Sequence, residues 1–292
     1  MKKKTVNVFN LVVLFVLSVW TIVLIGLLIW AFMSSVKDPL FDFRKNILGL
    51  PKEWKFSNYA FVYENFYVTI LNKQGLNEYV GMGKQVLNTI LFCLIRSGMG
   101  TFMPCLVGYL VAKYKFKFST LLYTGALVVM SLPIIGAYPA EISLLTRLSI
   151  YDTWIGVFLQ SSTYFGVYFF VFIAAFTIIP DDFYDAASID GASEWKIYFS
   201  IMVPMVFSTI STIFLLLFVA NWNDYQFAYL YLPSKPTLSY GLLMLSNSPL
   251  QSLNNVPMRM AGCAIVLLPI LVLFILLKER LMSNISMGGL KE

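Results

Sequence analysis

Six long apolar stretches, almost free of charged side chains, constrain this chain more than any other feature of its sequence. They cover residues 9–34, 85–112, 120–140, 153–179, 205–229 and 260–277. A helix of about 20 apolar residues crosses the hydrocarbon core of a bilayer. Only 12% of the residues are charged, against about 25% in an average soluble protein, so the chain cannot cover a water-exposed surface with charge. We therefore predict an all-α, polytopic membrane protein with six transmembrane helices.

Basic residues in the short connections set the expected orientation. They precede the first span, separate the second from the third and follow the sixth: Lys2, Lys3, Lys4, Lys113, Lys115, Lys117, Lys278, Arg280 and Lys291. Cytoplasmic loops are enriched in Lys and Arg, so both termini are expected in the cytoplasm. A single transmembrane domain, 1–292, would then have an extracytoplasmic loop at 37–84, a cytoplasmic loop at 180–204 and a cytoplasmic tail at 278–292.

Two of these connections have unusual composition. The outer loop 37–84 is long and rich in Trp, Tyr and Phe, which is typical of an interfacial anchor or of a docking surface for an external partner. The inner loop 180–204 is acidic although cytoplasmic loops are usually basic. Acidic residues weigh little in orientation, and their excess here suggests a partner with a basic surface.

The inner loop also predicts a short helix–turn–helix. Acidic residues at its start can cap a helix, in which Phe183, Ala186 and Ala187 form a small apolar face. Asp190-Gly191 is a turn dipeptide, and Gly191 can adopt the positive φ that other residues resist. Ser193 can cap the second helix, and Pro204 is expected to end it and to open the fifth span. A plain connector between spans would also fit these local signals.

The spacing of this loop resembles the signature of ABC importer permeases, E-A-A-x-x-x-G-x(9)-I-x-L-P. Asp185 stands at the Glu position and Val203 at the Leu position, and the other fixed positions match: Ala186, Ala187, Gly191, Ile201 and Pro204. Weaker matches follow in the family's order: Asn58-Tyr59, Asn88-Thr89, Gly108 to Lys113, Leu132-Pro133, Trp222-Asn223-Asp224 and the tail from Met287 to Lys291. The chain is similar to the maltose-type, MalG-like permeases of carbohydrate importers.

The resemblance implies a fold, partners and residue roles. It implies a type I ABC importer permease in a bacterial inner membrane, which forms half of a translocation pathway for a sugar, an oligosaccharide by family likeness, and has no catalysis of its own. Implied partners are a second homologous permease, a dimer of ATP-binding subunits, an extracytoplasmic solute-binding protein and membrane lipid. Implied ATPase-coupling residues are Asp185, Ala186, Ala187, Asp190, Gly191, Ala192 and Pro204. Gly288, Gly289 and Lys291 would reach the ATPase from the tail.

Polar residues inside the spans are the candidate substrate pathway: Arg96, Asn221, Trp222, Asn223 and Asp224. A charged or amide group at membrane depth is costly and faces protein or water. Asparagine, aspartate and indole suit sugar hydroxyls and the apolar face of a pyranose. The same residues could instead satisfy one another between helices.

Other functions fit the sequence less well. A secondary, ion-coupled transporter needs titratable groups at membrane depth, and the chain has no histidine and no Asp or Glu near the middle of any predicted span. An ABC permease for a non-sugar solute stays open as an alternative. No enzyme motif, nucleotide site, metal site or cofactor is expected. The positive net charge reflects orientation and does not suggest nucleic-acid binding.

Overall fold

The computed structural model describes residues 8–72, 74–114, 118–132 and 136–286, and this part of the chain is mostly helical. The chain divides into two compact units. Unit 1 holds the chain up to Val68 together with Gly241–Pro269, and unit 2 holds Thr69–Tyr240 and the chain from Ile270.

Unit 1 begins with helix α1, followed by a π-helical turn and a short helix. Their bounds are α1 (Val8–Ser35), the π-turn (Pro39–Phe43) and α2 (Ser57–Asn65). Asp38 caps the π-turn by accepting from the backbone N–H groups of Leu40 and Phe41 at 2.8 and 2.7 Å. The chain then enters unit 2 through a strand pair, β1 (Tyr67–Leu71) and β2 (Asn77–Gly81). The long segment between the first two predicted spans is therefore built of ordered elements.

A buried lysine organises this segment. The Lys37 side chain is fully buried, and its ammonium donates to the carbonyls of Asn46, Ile47 and Gly49 at 2.7, 3.3 and 2.6 Å. A buried charge is tolerated when its hydrogen-bonding capacity is filled, and three carbonyls fill all three ammonium donors. Asn58 donates to the carbonyls of Ser35 and Lys37 at 2.8 and 2.9 Å, which fixes α2 against the end of α1.

Unit 2 is built around one long helix. The remaining elements, some of which continue into unit 1, are α3 (Met82–Lys113), α4 (Ser119–Ser131), α5 (Ala137–Arg147), α6 (Trp154–Gln160), α7 (Val167–Thr177), α8 (Asp182–Ile189), α9 (Glu194–Ile197), a second π-turn (Tyr198–Met202), α10 (Val203–Met205), α11 (Phe207–Trp222), α12 (Tyr225–Tyr231), α13 (Leu238–Ser246) and α14 (Val256–Ser286). Helix α3 packs against both α7 and α11. At the α3–α7 contact, a Cβ on Gly108 would lie 2.8 Å from the Cβ of Phe172, so glycine permits this close approach.

The described helices agree with the predicted spans in part. Three are long and apolar enough to cross a membrane: Val8–Ser35, Met82–Lys113 and Val256–Leu276. The number rises to at most five if each of two bent pairs counts as one span: Val167–Thr177 with Asp182–Ile189, bent by 72°, and Glu194–Met205 with Phe207–Trp222, bent by 77°. Ser119–Ser131 is a shorter apolar helix.

Three predicted spans are interrupted in the structure. The stretch 120–140 ends as a helix at Ser131, and a separate helix starts at Ala137. The stretch 153–179 is split between α6 and α7 by residues 161–166. The stretch 205–229 breaks after Trp222, where Asp224 caps α12 by accepting from the Phe227 N–H at 3.0 Å. Average hydropathy does not register such breaks, because the interrupting residues are few.

Candidate functional site

The acidic loop folds as the predicted helix–turn–helix, which we call the elbow (α8, the turn 190–193 and α9). Gly191 has φ of +75°, which confirms the left-handed conformation predicted for this turn. A Cβ built there meets nothing within 4 Å, so the backbone conformation alone selects glycine. Ser193 occupies the predicted cap position of α9, but its side chain makes no capping hydrogen bond.

One face of the elbow is buried in its own unit. Ala187, Ile197 and Tyr198 are buried and join a core cluster with Tyr109 and Phe176. Ala192 is partly buried and packs against the same cluster. The predicted apolar face therefore divides between two directions: Ala187 packs inward, whereas Phe183 and Ala186 are exposed.

The other face of the elbow is open to solvent. Asp185, Ala186, Asp190 and Trp195 are exposed, and the Trp195 side chain retains 62% exposure. The exposed part of the elbow therefore offers both apolar and charged groups for contact.

Side-chain hydrogen bonds fasten the elbow to the end of α3. Lys113 donates to the Ile179 carbonyl at 2.5 Å and to the Asp181 carboxylate at 2.7 Å. Tyr184 donates to one oxygen of Glu194 at 2.8 Å, and Tyr114 donates to the other. The hydrogen bond to Glu194 raises the pKa of Tyr184. Glu194 thus bridges α8, α9 and the residue that follows α3.

Pro204 does not end a helix, which corrects the prediction. The backbone continues from α9 through the π-turn Tyr198–Met202 and α10, and Pro204 lies within α10. The break comes at Val206, where the chain bends by 77° into α11.

A polar cavity of about 430 Å³ lies between α3, α5, α11 and α12. Three of the predicted pathway residues line it: Arg96, Asn221 and Asp224. The Arg96 guanidinium lies 2.5 Å from the Asp224 carboxylate, and its central carbon lies 3.8 Å from the Phe227 ring centroid. Asn221 donates to the Ser97 hydroxyl at 3.0 Å. Arg96 and Asp224 therefore pair with one another, as one of the two alternatives predicts, and all three residues still face the cavity.

Trp222 and Asn223 are not among the residues lining this cavity. Trp222 is buried, with its ring centroid 6.1 Å from that of Phe218. Asn223 is exposed and donates back to the Val219 carbonyl at 2.9 Å.

The sequence reasoning missed the carboxylate Glu141. It lines the cavity and accepts from Gln160 at 2.7 Å and from the Tyr231 hydroxyl. The expectation that no acid lies near the middle of a span rested on a third span ending at residue 140, one position before Glu141. The available signal was the isolated acid in the otherwise apolar run that follows that boundary.

Some predicted groups fall elsewhere. Gly288, Gly289 and Lys291 lie outside the described residues, as does Pro133. In the described part of the chain, no three His, Cys, Asp or Glu side chains come together as a metal site would require.

The long apolar helices, with the bent helix pairs, define a multi-pass membrane protein. Residues 105–286, more than half of the chain, match the family described as "Binding-protein-dependent transport system inner membrane component". The chain belongs to this family, and the resemblance to an importer permease is confirmed.

Individual relatives support the same family. The chain is 23% identical over 280 residues to the diacetylchitobiose uptake permease NgcG of Streptomyces coelicolor, covering 93% of this chain and 86% of that protein. It is 28% identical over 246 residues to the arabinooligosaccharide transport permease AraQ of Bacillus subtilis, covering 82% and 80%. A chain in the crystal structure of a bacterial ABC transporter that imports the acidic polysaccharide alginate superposes with a TM-score of 0.72 at 18% identity, covering 96% of this chain and 98% of that one.

Proposed function

We propose that this chain is the permease subunit of an ATP-driven importer for an oligosaccharide. The observation that carries the proposal is the elbow, which has the family's spacing and stands inside the matched family region. The saccharides named for several relatives support a sugar as the cargo. ATP hydrolysis belongs to a separate subunit, since the chain contains no G-x-x-x-x-G-K-[ST] sequence.

In this proposal the chain forms one transmembrane domain with six passes in a bacterial inner membrane and both termini inside. The broken helices α4–α5 and α6–α7 supply the third and fourth passes, because protein-lined breaks are tolerated at membrane depth. Residues 37–84 lie outside, 180–204 inside, and 278–292 form the inner tail. A single cysteine at Gln74, in the β1–β2 turn, should react with an impermeant reagent in intact cells. Labelling only after lysis would reverse the orientation.

The elbow transmits ATPase movement in this proposal. Asp185, Ala186 and Asp190 lie on its open face and contact the ATPase, while Gly191 shapes the turn. Ala187, Ala192 and Pro204 act indirectly, because they fix the elbow to its own unit. The tail residues Gly288, Gly289 and Lys291 add a second ATPase contact. The rigid elbow would pass its displacement to α3 and α11, which line the cavity.

The cavity forms this chain's share of the sugar pathway. Its amide, carboxylate and phenol groups match sugar hydroxyls, and Tyr138 offers an aromatic ring for stacking. Asn221, Asp224 and Arg96 retain the pathway role predicted for them. Trp222 and Asn223 lie at the α11–α12 junction outside the cavity lining, where they help to set the shape of the junction.

The working assembly holds one copy of this chain, one different permease, two ATPase subunits and an external binding protein. One elbow per permease and two ATPase sites motivate this composition. Mass spectrometry of the intact solubilised complex should give one copy of each permease with two ATPases, and vesicles containing it should import sugar only with ATP. Import by a homodimer, or without ATP, would refute the proposal and favour a secondary carrier.

A further inference from the structure

The charged groups of the cavity do not balance. Its described lining contains one guanidinium, on Arg96, and two carboxylates, on Asp224 and Glu141. The formal charge of the lining is therefore negative. A polar cleft of this kind, which is only partly open, attracts cations and repels anions more strongly than a flat surface, because its low-dielectric walls concentrate the field.

The guanidinium is already committed. Arg96 lies 2.5 Å from Asp224 Oδ2, and its central carbon stands 3.8 and 5.2 Å from the ring centroids of Phe227 and Phe92. The other oxygen of Asp224 accepts from the Phe227 N–H at 3.0 Å. An anionic ligand would have to compete with Asp224 for Arg96, and this competition would leave the Asp224 carboxylate without its cation.

The described hydrogen bonds of Glu141 come only from neutral groups. Gln160 donates from its amide at 2.7 Å and Tyr231 from its hydroxyl, and both reach the same oxygen, Oε2. None of the described ion pairs includes Glu141. Its charge is therefore left for whatever enters the cavity.

We infer that Glu141 makes this cavity selective by charge, so that it admits neutral or amino sugars and excludes uronates. This inference deepens the proposed function and rests on it for the sugar. Hydroxyl and ammonium groups can donate to the carboxylate, whereas a uronate brings a second carboxylate with no free cation to meet it. The specificity would thus differ from that needed for an acidic polysaccharide.

The electrostatic part can be tested without knowing the sugar. Thr163 is exposed and lines the cavity, so a Thr163→Cys variant of the assembled complex, with the three native cysteines replaced, reports the local potential. The ratio of its reaction rates with a trimethylammonium and a sulfonate methanethiosulfonate is measured. Charges several ångströms apart at an effective dielectric near 20 change such ratios by about tenfold or more. Glu141→Gln should therefore lower the cation preference by about tenfold.

Two comparisons make the result specific. The exposed Asn247 is outside the cavity lining, and the reagent ratio at an Asn247→Cys variant should not respond to Glu141→Gln. Gln160→Leu removes a neutral donor and keeps the carboxylate, so the cation preference at Thr163→Cys should persist. An unchanged ratio on Glu141→Gln, or an equal change at both cysteines, would overturn the inference.

The sugar selectivity is tested by measuring how far a bound sugar protects the Thr163→Cys thiol from the methanethiosulfonate reagent. Cellotriose, its amino counterpart chitotriose and its C6-oxidised counterpart cellotriuronate share one β-1,4 backbone and differ in charge. The first two, at millimolar concentration, should slow modification of Thr163→Cys, and cellotriuronate should do so only after Glu141→Gln. Equal protection by cellotriuronate in the parent, or no protection by any of the three, would overturn the sugar selectivity. If the parent complex imported no sugar with ATP, the proposed function would fail. The ratio of reagent rates at Thr163→Cys would still test the charge of the cavity.

Discussion

The Lys113 ammonium lies 2.7 Å from the Asp181 carboxylate, and this ion pair joins the last residue of α3 to the residue that precedes α8. The Lys113 side chain is 4% exposed and that of Asp181 67%. The buried end of the pair therefore belongs to the helix and the open end to the elbow. An exposed ion pair alone contributes little to stability, but the bond from Lys113 to the Ile179 carbonyl gives the lysine a second, more sheltered anchor.

Lys113→Met should loosen the elbow without unfolding the protein. It removes both bonds, at a cost of about 1–2 kcal/mol, and keeps the aliphatic stem. Amide hydrogen exchange across α8 in the purified complex should become faster. Lys196→Met removes an exposed charge from the same elbow and should leave the exchange unchanged. Equal exchange in both variants would show that the Lys113 contacts do not hold α8.

Glu194→Gln should weaken the bridge between the two tyrosines. A neutral amide accepts less strongly than a carboxylate, since charge-assisted hydrogen bonds are about twice as strong as neutral ones. Tyr114→Phe and Tyr184→Phe each remove one donor and should cost about 0.5–1.5 kcal/mol. Thermal unfolding of the three single and two double variants measures the coupling. Strict additivity of Glu194→Gln with each tyrosine variant would contradict the bridge.

Gly191→Val should disrupt coupling and spare membrane insertion. The position has φ of +75°, and a β-branched residue there costs about 1–3 kcal/mol. Gly191→Asn should be milder, because asparagine visits this region more readily. Stimulated ATPase activity and sugar uptake in vesicles are the measurements. Gly125→Ala in α4, where a Cβ also meets nothing within 4 Å, serves as the tolerated control, and full coupled activity in Gly191→Val would refute the requirement.

Tryptophan substitutions at Ala186 and Ala187 should have different effects, one on ATPase binding and the other on stability. Ala187 is 7% exposed in the core cluster, so Ala187→Trp overpacks the elbow's own interior, at a cost of about 1–3 kcal/mol or more. Ala186 is exposed, so Ala186→Trp should keep thermal stability and reduce ATPase binding. Melting temperature and co-purified ATPase are compared. The opposite pattern, with a stable Ala187→Trp and an unstable Ala186→Trp, would invert the assignment of the two faces.

Lys37→Met should destabilise unit 1 more than an ordinary lysine substitution. Three carbonyls lose their shared donor, and hydrogen bonds to a charged group contribute about 1.5–3 kcal/mol each when sheltered from water and less when exposed. Limited proteolysis between residues 38 and 55 should accelerate. Lys45→Met, in the same segment at an exposed position, is the matched control. Equal cleavage of the two variants would show that the buried ammonium does not organise the segment.

Local signals made the elbow predictable from sequence, whereas the cavity depended on tertiary structure. Asp190-Gly191 specifies its turn through the backbone of two adjacent residues, so no distant contact is needed to place it. The pairing of Arg96 with Asp224 joins groups 128 positions apart, and hydropathy contains no information on which face of α3 meets the start of α12. The sequence identified Arg96 and Asp224 as candidates because a charge is costly within a span, but it did not show that the two side chains form a pair.

Breaks in the apolar stretches were harder to predict for a different reason. Residues 161–166 and Val206 interrupt helices within runs that stay apolar on average, and a window of span length averages over such short features. Glu141 was missed because the predicted third span ended at residue 140, whereas helix α5 runs through this position from Ala137 to Arg147. Ala187 was assigned to a docking face because helical spacing does not say which side of a short helix its own protein covers.

At Val206 the chain bends by 77°, so the helical segment that leads from the elbow and helix α11 form two arms nearly at right angles. The π-turn and α10 form a continuous helical arm from the elbow up to Val206, and α11 forms the other arm, with Asn221 of the cavity near its far end. In the proposed mechanism, with the two arms nearly at right angles, a displacement across the first arm would turn the second about Val206. Such a rotation would grow with distance along α11, so in the proposed importer a small displacement of the elbow would move the cavity end of α11 most.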